Sequence, residues 1–284
     1  MSETLASATL KLAKILTHVV SGTASGGTTT TLVDSDFPWQ NSGGVVPADD
    51  HYNGGTIWFT SGDNDGITEM ITDWAKTTKT FTFATLSDAI VSGVKYSACN
   101  MKYPRYILQE AINYALSNIG DVPQLYTNAA FITVADQINY DLPSGVYNVL
   151  KVEIARSTST PYDFVEHKHW REIEDDIYFD ENSQPSEDDY PIRLTYCVPP
   201  TSLTADSSAI SDYIHIDRLK WEAAVYALRW KLQMTGGDEQ VIATVLQEAL
   251  AMAEAMKHKH PVKHIMKSPH VAFWRRSTIN RYDN

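Results

Sequence analysis

The sequence predicts an α+β protein: an α-helical bundle of about four helices with two antiparallel β insertions and an extended C-terminal arm. Three observations carry this expectation. Apolar residues step by three and four in four separate stretches. Between the first and second stretches, and again between the second and third, the period changes to two. Beyond Pro261 neither period persists. The 284 residues are 43% hydrophobic and 20% charged, which supplies a sizeable core and excludes a disordered or collagen-like chain. That length suits two domains, or one domain carrying a large insertion.

Leu5, Ala8, Leu12, Leu16 and Val19 make residues 3–19 an amphipathic helix, which the glycines and β-branched threonines of 21–31 break. Thr56-Ile57-Trp58-Phe59-Thr60 reads as a strand and 62–66 as a turn. Ile67, Glu69 and Ile71 then alternate with Thr68, Met70 and Thr72, and 79–83 returns as a further strand. Residues 21–98 thus read as a small antiparallel β domain, whose many threonines suit strands with one wet face. Pro104 suits the first position of a second helix. Its stripe runs through Ile107, Leu108, Ala111, Ile112, Ala115, Leu116 and Ile119 to Gly120, a good C-cap.

Strand-like runs follow at 131–134, 140–143, 146–154 and 192–196, interrupted by an acidic, turn-rich stretch at 172–189. Helices over 210–234 and 238–258 are joined by Gly236-Gly237 in a tight helical hairpin. Each helix has one apolar stripe and needs partners to bury it, hence a bundle. The expected bundle core takes 1–20, 99–127 and 209–260. The β-rich insertion domain takes 21–98, the second insertion with its acidic loop 128–208, and the arm 261–284.

The net charge of −12 argues against broad contact with nucleic acid or anionic lipid. From 257 to 284 seven basic residues face Asp283 alone, so the tail carries +6 and the rest of the chain −18. Conversely, 163–189 holds eleven acids against Lys168 and Arg171. A basic tail on an acidic body suits docking on an acidic partner, a second copy included; solvation and a match to the dipole of the last helix are the plainer account. Cys99 and Cys197 are too few for a disulfide framework or a cysteine-rich zinc module, and read as reduced thiols. No apolar run approaches a membrane helix, and Glu3, Lys11 and Lys14 break any secretory pattern, so the expectation is a soluble protein made in the cytoplasm.

Catalytic motifs are lacking. Asp63-Asn64-Asp65-Gly66 has Thr72 where a calcium loop needs its last acid, and reads as a turn. His258, His260 and His264 read as solvated histidines near a helix end, because His258 and His260 cannot both face His264 on a helix. The pairs Asp175-Asp176 and Asp188-Asp189 could serve a glycosidase, but a segment this acidic reads as a solvated loop. His167-Lys168-His169-Trp170 has no accompanying nucleophile motif. No cofactor, metal or enzymatic activity is expected.

The aromatics say more. Seven Trp and fifteen Tyr are many for a plain bundle, and interfaces favour such residues. Phe273-Trp274-Arg275-Arg276 lies in an aperiodic stretch, where burial of the two rings, worth about 2–3 kcal/mol each, needs a partner or a tail folded back on its own bundle.

Two blocks resemble the head-to-tail adaptor (connector) proteins of tailed bacteriophages. One runs Tyr103-Pro104-Arg105-Tyr106-Ile107, Ala111-Ile112-Asn113-Tyr114-Ala115-Leu116, Gln137-Ile138-Asn139-Tyr140-Asp141-Leu142-Pro143, 146–154, Leu194-Thr195-Tyr196, Pro199-Pro200, Leu203 and the alanine-rich helix from 217. The other comprises Gly54-Gly55-Thr56, Ile71-Thr72-Asp73 and Lys79-Thr80-Phe81-Thr82-Phe83, similar to β modules of phage virion proteins. The likeness is one of style and order over most of the chain. It implies a non-enzymatic structural protein of the virion neck: a cyclic homo-oligomer, usually of twelve copies, beneath the portal protein and above a tail or nozzle protein, through which DNA passes during ejection.

The resemblance places the portal-binding arm at 261–284, with Pro261, Lys263, Lys267, Phe273, Trp274, Arg275 and Arg276 as its contacts. An acidic lumen formed by Asp175, Asp176, Asp180, Glu181, Asp188 and Asp189 would keep DNA from sticking. Two rival readings are a neck or tail-completion protein one layer below, and a carbohydrate-binding or glycan-cleaving virion protein. The latter is motivated by clustered Asp and by Trp39, Trp58 and Trp74 as surface tryptophans.

Overall fold

Strands, not helices, carry most of the regular structure. The protein is represented by a computed structural model that describes residues 3–37, 46–180, 183–235 and 240–262. Among the described residues three antiparallel sheets account for 30% and four helices for 26%, which overturns the expected helical bundle with two β insertions. The four helices exist, but both period-two regions build aromatic cores of their own and do not depend on a bundle for burial. The arm lies outside the described residues from 263 onward, as do Gly236-Gly237 of the helical hairpin.

The described residues of 3–120 and 199–262 form one compact unit, and those of 121–198 a second. The first unit opens with α1 (Leu5–Leu16), whose start is fixed by a reciprocal capping box between Thr4 and Ser7. The expected last step of this helix, Val19, instead begins β1 (Val19–Thr23) opposite Cys99. Thr17, Val19 and Val20 are β-branched, poor in a helix and well suited to a strand. Six further strands follow: β2 (Gly26–Gly27), β3 (Thr31–Val33), β4 (Thr56–Phe59), β5 (Thr68–Ala75), β6 (Thr80–Phe83) and β7 (Lys95–Cys99).

They pair in the order β1-β7-β4-β5-β6-β3-β2. Its two edges, β1 and β2, are joined only by Ala24 and Ser25, so the sheet rolls until they meet. The Ala24 amide donates to the Val94 carbonyl beside β7, and the Ser25 amide to Val33 of β3. Inside the roll Phe37, Tyr52, Trp74 and Phe81 meet at ring separations of 4.4–6.0 Å. One polar pair shares this core: the Tyr96 hydroxyl donates to Asp34 Oδ2 at 2.8 Å. Burial pushes both groups above their ordinary pKa ranges.

β4 is buried on both faces. Ile57 and Phe59 face the roll's core, whereas Trp58 lies outside that cluster and donates through Nε1 to Thr9 Oγ1 of α1 at 3.1 Å. The helices α2 (Arg105–Ser117), α3 (Ile216–Met234) and α4 (Gln240–Lys259) complete the unit. α3 packs on α1, α2 and α4, presenting Leu219, Ala223, Ala224, Ala227 and Leu228, where small side chains allow close approach.

In the second unit β8 (Val122–Ile132) starts where the helical core was expected to continue to 127. It joins β10 (Val149–Ala155), β11 (Phe164–His167) and β14 (Pro191–Val198) in the order β11-β10-β14-β8. A second sheet holds β12 (Trp170–Ile173), β13 (Asp176–Phe179) and β9 (Asn139–Asp141). Their inner faces share one core containing Val149, Val152, Leu194, Trp170, Ile177 and Phe179. The first part of the acidic stretch is therefore a hairpin with Trp170, Ile177 and Phe179 buried beneath it, and Glu172, on that same face, accepts from the Val149 amide at 3.0 Å.

On the first sheet Glu153 is held between its cross-strand partner Arg193 (2.8 Å) and Lys151 (2.7 Å). Burial alone would raise its pKa, but the hydrogen bonds from Arg193 and Lys151 outweigh it and hold the carboxyl below its ordinary range. A depressed carboxylate adds stability above its unfolded pKa and loses it as pH falls through the folded value.

Two consequences are measurable by urea titration. A Cβ on Gly22 would lie 2.4 Å from Asp34 Oδ2 and 2.8 Å from the Tyr96 ring, so Gly22→Ala should cost about 1–3 kcal/mol; an unchanged midpoint would show that the roll yields freely there. Glu153→Gln should cost about 1–3 kcal/mol at pH 7 and lose less than the wild type between pH 7 and pH 3. Parallel pH profiles for the two proteins would remove Glu153 as the source.

Candidate interaction surface

The first unit is tied together by Asp206, in the segment before α3. Its Oδ2 accepts from the Thr68 amide at 2.7 Å and from the Thr68 hydroxyl at 2.8 Å. Arg105 Nη2 reaches both carboxylate oxygens at 3.0 and 3.1 Å, and Arg105 Nε donates to Thr68 Oγ1. Gln109 Nε2 adds a 3.3 Å contact, and the Asp206 carbonyl accepts from the Ala6 amide at 3.1 Å. Thus α1, β5 and α2 all converge on one residue. With only 13% of the Asp206 side chain exposed, these charge-assisted bonds replace its lost hydration.

Beside this knot opens a groove of about 590 Å³. Met70 comes from β5, Met101 from the turn after β7, Tyr106 from α2, and Trp230 and Met234 from α3. Met234 is 68% exposed, Tyr106 61%, Met101 60% and Met70 51%. Lys102 and Lys231 line it too. Gly54, at φ +74°, leaves room for the Met101 sulfur; a Cβ there would approach it to 2.5 Å. Exposed methionines and an aromatic gathered around one concavity form an adaptable apolar contact surface.

A different cluster lies where the start of α3 meets the end of α4. His215 caps α3, its Nδ1 accepting from the Asp217 amide at 3.2 Å. The His260 ring stacks on the His215 ring with centroids 3.6 Å apart and planes 7° off parallel. The Asp217 carboxylate is 3.7 Å from His215 Nδ1 and holds Lys220 Nζ at 2.5 Å.

The acids expected to line a lumen are spread along the hairpin and the strap after it. Asp175 is exposed in the β12–β13 turn and Asp176 opens β13, opposite Ile173 and Asp141. Asp180 follows the other end of that strand, its amide donating to the His169 carbonyl. Asp188 Oδ1 accepts from the Ala135 amide at 2.7 Å, and the Asp189 amide donates to Thr133. Glu181 lies outside the described residues. Of the arm, Pro261 is exposed just after α4, and Lys263, Lys267, Phe273, Trp274, Arg275 and Arg276 lie outside the described residues.

Trp58 and Trp74, expected at the surface, are fully buried, one against α1 and one inside the roll, which removes them from any glycan-binding face; Trp39 lies outside the described residues. Cys99 and Cys197 are free and buried, and burial pushes the Cys99 thiol up to about 11. Among the described residues no helix is long and apolar enough to cross a membrane. Comparison with protein families finds none that matches the chain, and comparison with curated proteins finds no match either.

Sequence reasoning missed the knot because Arg105, Thr68 and Asp206 are far apart in the chain. It also missed the groove, whose methionines sit in three separate elements; the one legible signal was a run of large residues, Met101 to Tyr106, beginning outside the helical stripe. Replacing Asp206 by Asn removes the charge that orients Arg105 and should cost about 2–3 kcal/mol in urea unfolding. A cost below about 0.5 kcal/mol, the usual size for a surface substitution, would show that the knot is ornamental.

Proposed function

We propose that the chain is a structural adaptor of a virion neck, of the head-to-tail connector kind, whose copies close a ring beneath the portal and which carries out no chemistry. The groove is the observation that most supports this reading. A ring requires each copy to offer one face to a different face of its neighbour, and four large apolar side chains exposed around one concavity suit such a contact. The occupant is a second copy of this chain: Lys102 and Lys231 beside the groove complement the surface of a like molecule carrying a net charge of −12.

In this reading the segment from Pro261 onward reaches the portal with its cationic and aromatic residues, and the acids at 175–189 face the channel and repel passing DNA. The resemblance in the order of blocks, and the small rolled β module beside a set of packed helices, agree with it.

The paired substitution Met101→Glu and Met234→Glu places charge in the contact without touching a core. The wild-type chain should sediment as a closed oligomer at micromolar concentration, and the variant as a monomer with an unfolding midpoint within about 0.5 kcal/mol of wild type. A wild-type chain that stays monomeric at every concentration, or a variant that assembles equally well, would contradict the adaptor reading.

A further inference from the structure

The histidine cluster carries an inference that does not depend on assembly. His215 precedes α3 and His260 follows α4, and their contact shows that these two helix ends lie together. We propose that His215, Asp217 and His260 bind one divalent transition-metal ion of the zinc class, stapling the start of α3 to the end of α4 at the point where the C-terminal segment leaves.

Two imidazoles and a carboxylate suit Zn²⁺, Co²⁺ or Ni²⁺; Mg²⁺ and Ca²⁺ favour sets made wholly of oxygen. One ligand atom from each residue lies within 4.8 Å of the others. A tetrahedral ion with bonds of 2.0–2.1 Å separates its ligand atoms by about 3.3 Å, so the site is open by at most about 1.5 Å. Closing it takes side-chain rotation: the stacked rings must fan apart until their in-plane lone pairs converge. His215 is an exposed residue, with room to turn.

A second observation points the same way. The Nε2 atom of His260 is buried yet has no hydrogen-bond partner among the described residues. A nitrogen shielded from water with nothing to bond is costly unless something outside the protein satisfies it. On the carboxylate, Lys220 engages Oδ1 and leaves Oδ2, the oxygen nearest His215, for the ion. Three ligands leave a fourth position for water or a neighbouring side chain.

The ion would add a bond between two helix ends that meet through a ring stack. Binding to the folded state alone stabilises by mass action, so the unfolding midpoint of the chain should rise with Zn²⁺ and not with Mg²⁺.

Chelator-treated full-length chain, titrated with Co²⁺, tests the site by the visible absorption of tetrahedral cobalt and by thermal unfolding. One equivalent should bind and raise the midpoint. His260→Ala and His215→Asn, the latter keeping a capping side chain, should each weaken that binding at least about 100-fold, since even outer-shell partners of a metal are worth about 10–100-fold. His258→Ala, which removes a histidine from the same helix end but not from the cluster, should bind as wild type. No one-equivalent binding by the wild type, retention in His260→Ala or in His215→Asn, or loss in His258→Ala would each overturn the proposal.

Discussion

A carboxylate taken out of water must find hydrogen-bond donors, and in the first unit one carboxylate, Asp206, draws them from separate parts of the chain. Thr68 of β5 gives a backbone and a side-chain donor, while Arg105 and Gln109 of α2 give guanidinium and amide. The same residue's carbonyl takes the first-turn amide of Ala6 in α1. These bonds are short-ranged and directional, so satisfying them together fixes where α1 and α2 lie against the rolled sheet. The groove is a consequence. Consecutive residues of a helix point about 100° apart, so Arg105 turns into the knot while Tyr106 is left outside, beside Met101 and Met234.

The other buried polar groups obey the same constraint by different means. Asp34 meets a single strong donor, the Tyr96 hydroxyl, inside an aromatic core, and Gly22 makes space for the pair by having no side chain. Glu153 is buried on the sheet face opposite the core, between two cations, with Arg193 lying over the Phe164 ring at 4.2 Å. Glu222, buried in α3, is matched one turn back by Arg218 at 3.0 Å. Each carboxylate is placed where sequence-distant or helically spaced donors converge, so packing and polar satisfaction select the same arrangement.

What the sequence made legible was local. The stripe from Ile107 to Leu116 is buried as its spacing requires, and so are Ile242, Leu246, Ala249 and Ala253 of α4. The turn at 62–66 and the strands at 56–59 and 80–83 follow from short-range signals of alternation and glycine. The balance of the fold was not legible, because short strands such as β2 and β12 carry too few residues for their period to show, and closure of the roll depends on pairings across the chain. In 172–189 charge hid the alternation of Ile177 and Phe179. The expectation of a surface Trp58 failed because its partner, Thr9, lies in another element. Likewise, His260 read as a solvated histidine until the fold brought it to His215.

The proposed assembly and the proposed metal site both rest on a first unit that behaves as a single cooperative body held at Asp206. Amide hydrogen exchange of the intact chain tests this most directly. The Thr68 and Ala6 amides, which donate to Asp206, should exchange through the same opening as the Leu228 amide in the middle of α3, with matching free energies. If Thr68 and Ala6 exchange orders of magnitude faster than the centre of α3, the helices and the rolled sheet open separately, and Asp206 does not hold them together.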